Sequence, residues 1–133
     1  MTIAKTIQKC ADFFDINCTT HEINFAYWKD IPRTHRGVYI ITYGNDGQII
    51  YVGKGNIRGR QEKHYQKTIG KISEGLTYPD GWKYLFENFD LPSELWHVYY
   101  VTLNTETELS AMEGALIHFL QPLANDETFK DRK

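Results

Sequence analysis

The chain has 133 residues, 41% apolar and 24% charged, with a formal net charge of −2. That length suits one domain around one core, and the balance is that of an ordinary globular protein rather than a disordered or fibrous one. A slightly acidic total excludes a general nucleic-acid coating protein, which would be basic throughout, but leaves room for an enzyme with one basic site.

Residues 2–14 place Ile3, Ile7, Cys10, Ala11 and Phe14 on one helical stripe, which predicts an amphipathic first helix. Cys10 and Cys18 match neither a zinc pattern nor a disulfide scaffold. With no long apolar run for a leader or a membrane span, the expected location is cytoplasmic, away from membranes. Residues 15–35 carry no steady period and read as a linking segment. Runs 37–43 and 48–53 are rich in strand formers and flank Gly44-Asn45-Asp46-Gly47, whose residues tolerate the positive φ of a tight turn. This predicts a β-hairpin. Asn56 is a candidate N-cap for a helix over 57–68. Asp80 opens a candidate short helix that ends before Pro92. LWHVYYVTL, 95–103, reads as a third strand, and Thr105-x-x-Glu108 is a capping-box pattern for a helix over 106–120 that Pro122 stops.

Two features need a chemical explanation. From Lys54 to Lys67 stand Lys54, Arg58, Arg60, Lys63 and Lys67 against Glu62 alone, in an otherwise acidic chain. A glycine-rich turn, Gly53-Lys54-Gly55, precedes the helix that bears them, and such a turn can cradle a phosphate. The plain alternative is a solvated basic face. The second feature is Glu113. It lies four residues after Leu109 and three before Leu116, on the face of the apolar stripe Leu109, Met112, Leu116, Ile117 and Leu120 or at its edge. Desolvating a carboxylate is costly, so Glu113 must pair with a cation, bind a metal or face a cleft.

Taken together these pieces resemble a known family. Gly37-Val38-Tyr39, eleven further residues and Tyr51-Val52-Gly53 are similar to the signature of the GIY-YIG nucleases. Lys54, then Ile57-x-x-Arg60-x-x-x-His64, and finally Glu113-Gly-Ala-Leu-Ile-His-Phe-Leu-Gln-Pro-Leu-Ala-Asn125 extend the resemblance in the family's order. Val38 and Val52 stand where the family name has isoleucines, and nothing in the family pattern maps onto residues 66–108.

The resemblance implies an α+β fold, with a small central three-stranded antiparallel sheet flanked by helices. Residues 1–36 would then be an N-terminal helical extension, and about 65–108 a long insertion. It implies an endonuclease that hydrolyses phosphodiester bonds in DNA, with RNA left open. The expected catalytic residues are Tyr39, Tyr51, Lys54, Arg60, His64, Glu113 and Asn125, with Gly53, Gly55 and Arg58 against the substrate. Glu113 would hold Mg²⁺ or Mn²⁺, since one carboxylate completed by phosphate oxygens and water suits a hard cation. His64 reads as a phosphate contact, and Asn125 as a residue that orients substrate or braces the site. Either tyrosine is a candidate general base, although an ordinary phenol has a pKa of about 10. One such site cuts one strand per event, so a double-strand break implies a homodimer or a second encounter. The rival expectation is a catalytically silent module of the same fold that binds nucleic acid or protein.

Overall fold

A computed structural model describes residues 3–68 and 95–125. Helix α1, Ile3–Phe13, buries Ile7, Cys10 and Ala11 on the expected stripe. Phe14 leaves that stripe. The chain reverses through Asp15 at φ 54°, and the Ile16 N–H closes the helix end on the Ala11 carbonyl at 2.8 Å. Ile16 thereby joins the core while Phe13 and Phe14 face outward.

Among the described residues the sheet has four strands, not the expected three. They are β1 Thr20–Asn24, β2 Arg36–Tyr43, β3 Gln48–Asn56 and β4 Trp96–Thr102, in the order β1-β4-β2-β3, with every pairing antiparallel. The extra strand, β1, lies within the stretch read as a linker. Its sequence, THEIN, has a single aliphatic residue and no buried one, so it carries no alternation. It is held at the sheet edge by backbone pairing with β4. The stretch expected as a helical extension thus supplies an edge strand as well as helix α1. The Asn24 side chain then accepts from the Ala26 N–H at 3.0 Å and opens a 3-10 helix, Phe25–Asp30, that buries Phe25 and Trp28.

The hairpin forms as expected, with Gly44 and Gly47 at φ 85° and 67° in its turn. A bulge interrupts it: Ile41 pairs with Tyr51 and Thr42 with Ile49, leaving Ile50 as the extra residue. Ile50 and Tyr51 both turn toward the same core cluster. Helix α2, Ile57–Thr68, follows β3 directly, and the Asn56 side chain accepts from the Gly59 N–H at 2.9 Å. The stretch 65–108, expected as an insertion, contains β4, an interior strand between β1 and β2. The helix expected at 80–89 lies outside the described residues.

Helix α3, Glu106–Leu120, has the complete capping box between Thr105 and Glu108. It ends at left-handed Gln121 before Pro122. Beyond it the Leu123 and Ala124 N–H groups bond to the carbonyls of Ile49 and Ile50 at 3.1 and 2.7 Å, covering part of the edge of β3.

Helices α1 and α3 cover one face of the sheet with Val38, Ile40, Val52, Val101, Leu109, Met112 and Leu116. On the other face the 3-10 helix and α2 pack over Phe25, Trp28, Tyr39, Ile41, Ile57 and Trp96. Among the described residues no helix is long and apolar enough to cross a membrane.

Candidate active site

Tyr39 sits in the interior strand β2, opposite Gly53 in β3. A side chain at Gly53 would put its Cβ 2.4 Å from the Tyr39 hydroxyl oxygen. The glycine is therefore a space requirement: the phenol lies across it. Tyr51, one pleat away on the same face, packs its ring 6.1 Å from that of Tyr39.

Helix α2 supplies the next layer. His64 is buried, and its Nε2 and the Tyr39 hydroxyl are hydrogen-bonded at 2.7 Å. The same imidazole lies 5.0 Å from the Tyr51 ring. His64, expected against a phosphate, is instead directed at the phenol. Arg60, one turn earlier, extends toward Gly55, where an added Cβ would meet its Nε at 3.0 Å. Gly55 also has φ 131°, a conformation that L side chains rarely adopt. The shared face of Arg60 and His64 is thus turned to the end of β3, as the spacing predicts.

Burial pushes the Tyr39 hydroxyl well above the ordinary phenol range. Tyr51 and Glu113 push in the same direction, while the Arg60 charge pulls the other way. The net direction favours the neutral phenol, held against the imidazole, over a phenolate waiting for substrate. Glu113 is half-buried on α3, and its charge acts on both Tyr39 and Lys54. Helix α3, which bears Glu113, packs on β3, the edge strand that carries Gly53 and Gly55.

Lys54 projects toward the start of α3. Its ammonium donates to Glu106 at 2.8 Å and to the Ser110 hydroxyl at 2.9 Å. The Glu106 hydrogen bond holds the Lys54 ammonium above its ordinary range and, reciprocally, the Glu106 carboxyl below its own. Glu106, Ser110 and Glu113 follow one another at helical spacing, a polar stripe beside the apolar one. The sequence carried that signal, but attention to Glu113 alone missed Glu106 and Ser110.

Asn125 is buried and spans both backbone groups of Val52. Its Oδ1 accepts from the Val52 N–H and its Nδ2 donates to the Val52 carbonyl, each at 2.8 Å. It acts as a strand substitute that fixes β3 one residue before Gly53. Arg58 is engaged elsewhere, with its guanidinium 5.8 Å from the centroid of the Trp28 ring. Gln61 lies within the basic run but is fully buried, and neither of its amide atoms has a partner among the described residues.

Glu113 provides a hard oxygen donor beside cationic groups that suit a phosphate, a set that fits Mg²⁺ or Mn²⁺ completed by phosphate oxygens and water. Among the described residues no group of three or more His, Cys, Asp or Glu is arranged to hold a metal ion. An all-protein cage is thus not what these side chains offer. A cleft of about 860 Å³ opens at the other end of the hairpin, between α1, α3 and the turn, with Phe13, Phe14, Ile49, Phe119 and Leu120 in its wall. It contains none of the site residues, and its chemistry is that of an apolar groove. Set against family models, curated proteins and solved structures, the chain matches none.

Proposed function

We propose that the chain is a metal-dependent endonuclease of the GIY-YIG type, hydrolysing phosphodiester bonds in DNA through one active site at the Gly53–Gly55 end of β3. The observation that carries this reading is the buried 2.7 Å bond between Tyr39 and His64. It sits where the charges of Arg60 and Glu113 also act on the phenol. Buried polar groups are costly unless satisfied. A phenol paired with an imidazole beneath a glycine-rich turn is an arrangement that can carry proton transfer.

In this reading Tyr39 and His64 work as a relay. With its proton on Nδ1, the His64 ring accepts the Tyr39 hydroxyl hydrogen at Nε2. As the attacking water loses a proton to the Tyr39 oxygen, the phenol passes its own proton to His64. No free phenolate is formed, which removes the difficulty that a raised phenol pKa would otherwise pose. The water oxygen bonds to phosphorus, the ester P–O bond breaks, and the leaving oxygen takes a proton from solvent. After the product leaves, His64 gives its added proton back through Tyr39 to solvent. Arg60 offers a planar fork to the phosphoryl oxygens. Tyr51 packs against the imidazole and fixes its plane. Asn125 holds β3 in register so that Gly53 stays beneath the phenol. Glu113 would hold Mg²⁺ or Mn²⁺, which supplies charge neutralisation at the phosphoryl and leaving oxygens.

The test is incubation of supercoiled plasmid with the protein and Mg²⁺ or Mn²⁺, repeated with Glu113→Gln. Nicked plasmid is expected as first product from a monomer, and Glu113→Gln lowers the rate by about 10²-fold or more, the loss typical of removing one transition-state electrostatic contact. Absence of cleavage of DNA and RNA under varied conditions, with binding retained, would replace the nuclease with a binding module.

A further inference from the structure

We propose that Arg36, Lys54 and Ser110 form a second phosphate subsite, for a phosphodiester flanking the scissile one, and that the protein's own Glu106 carboxylate occupies it in the absence of nucleic acid. The inference rests on the nuclease reading above and extends it to the track of the substrate strand.

The geometry is that of a filled anion cradle. Glu106 accepts from Arg36 at 2.6 Å on one oxygen and from Lys54 at 2.8 Å on the other. The Ser110 hydroxyl lies 2.9 Å from the same ammonium. A carboxylate gripped through both oxygens by a guanidinium and an ammonium stands where two anionic oxygens of a phosphodiester would bind. Arg, Lys and a hydroxyl are also the side chains that most often contact nucleic-acid backbones.

The placement fits a strand running over the site. Arg36 pairs with Asn56 in the ladder, two residues beyond Lys54, so Arg36 and Lys54 project from the same face of the hairpin, toward α3. Tyr39 and Gly53 project from the opposite face, toward α2. Lys54 directly follows Gly53, so a chain crossing the end of β3 meets the relay on one side and the cradle on the other. Side-chain exposures of 61% for Arg36 and 57% for Glu106 leave the pair open to solvent. An exposed ion pair adds little to stability, so an incoming phosphate displaces the carboxylate at small cost. The carboxylate, in turn, neutralises the cradle while no substrate is present, which limits capture of adventitious anions.

The test is fluorescence anisotropy of a labelled duplex oligonucleotide, titrated with the full chain in EDTA across a salt series, so that binding is read without cleavage. Glu106→Gln binds about three- to tenfold more tightly at low salt, and its plot of log affinity against log salt steepens by about one, as an additional released counterion requires. Arg36→Ala weakens binding and flattens the slope by about one. In the Arg36→Ala background the gain from Glu106→Gln shrinks. Asp46→Asn, in the turn at the far end of the hairpin, loses the same charge and binds as the unmodified protein does. Glu106→Ala must shift affinity in the same direction as Glu106→Gln, and melting curves verify that each variant is folded. If the unmodified protein binds DNA while Glu106→Gln and Asp46→Asn are indistinguishable in affinity and slope, the subsite is overturned and the nuclease reading stands. If the unmodified protein neither binds nor cuts nucleic acid, both fall.

Discussion

The two faces of the sheet are built from different materials. Under α1 and α3 the contacts are aliphatic: Val38, Ile40, Val52 and Val101 meet Leu109, Met112 and Leu116. Under α2 the strands present phenols, and the helix answers with an imidazole and an amide, His64 and Gln61, both buried. The first face follows the cheapest rule for burying surface, since apolar groups bring no unmet hydrogen bonds. The second keeps polar atoms at a cost that an aliphatic core would avoid. The contrast teaches where stability and chemistry are separated in this fold. Helix α3 belongs to both, with its apolar stripe in the first face and its polar stripe, Glu106, Ser110 and Glu113, along the edge of β3.

If the separation holds, variants on the two faces fail in different ways. Tyr39→Phe keeps the ring over Gly53 and removes the hydroxyl from His64. We expect cleavage to fall by about 10²–10⁴-fold, the range for losing a proton-transfer group, with the fold retained by circular dichroism. An active Tyr39→Phe enzyme would end the relay. Met112→Ala acts on the other side. Met112 is fully buried, and truncation costs about 2–5 kcal/mol in denaturant unfolding. The cleavage rate per folded molecule stays unchanged in conditions where the variant is folded. A loss comparable to that of Tyr39→Phe would show that the apolar stripe of α3 sets the position of Glu113, and the comparison would have to be redrawn.

The sequence made the local signals legible. The hairpin was readable because Gly44 and Gly47 mark its turn, and α3 because Thr105 and Glu108 form its cap. The common face of Arg60 and His64 follows from helix periodicity alone. What escaped was set by the backbone or by distant partners. Strand β1 is held by ladder bonds that leave no mark on THEIN, and the bulge at Ile50 is a backbone event. Arg36 and Glu106 are exposed charges seventy residues apart, ordinary until the fold brings them to one point. Gln61 and His64 sit in a run that reads as solvated, yet both turn inward, because covering the sheet takes the face of α2 that also carries Ile57.

The smallest effect concerns protons. Tyr39 is held well above the ordinary phenol range by burial, so its folded pKa exceeds the unfolded value of about 10. A raised pKa means that the folded state binds the proton more tightly. The stabilisation is complete below the unfolded value and is lost as pH rises toward the folded one. Above pH 10 the unmodified protein should lose about 1.4 kcal/mol per pH unit on account of this group. Tyr39→Phe should lack that increment, so the difference between the two unfolding free energies isolates it from the other tyrosines. Tyr99 needs this subtraction most. Burial and a hydrogen bond from its hydroxyl to Glu22 push it up to about 12, on the sheet face that holds no relay. Phenolate absorbance at pH 10 should likewise be the same for the unmodified protein and for Tyr39→Phe. A phenolate signal that disappears with the Tyr39 hydroxyl would mean that the group ionises in the native state. Tyr39 would then act as a preformed base, and His64 would serve only to orient it.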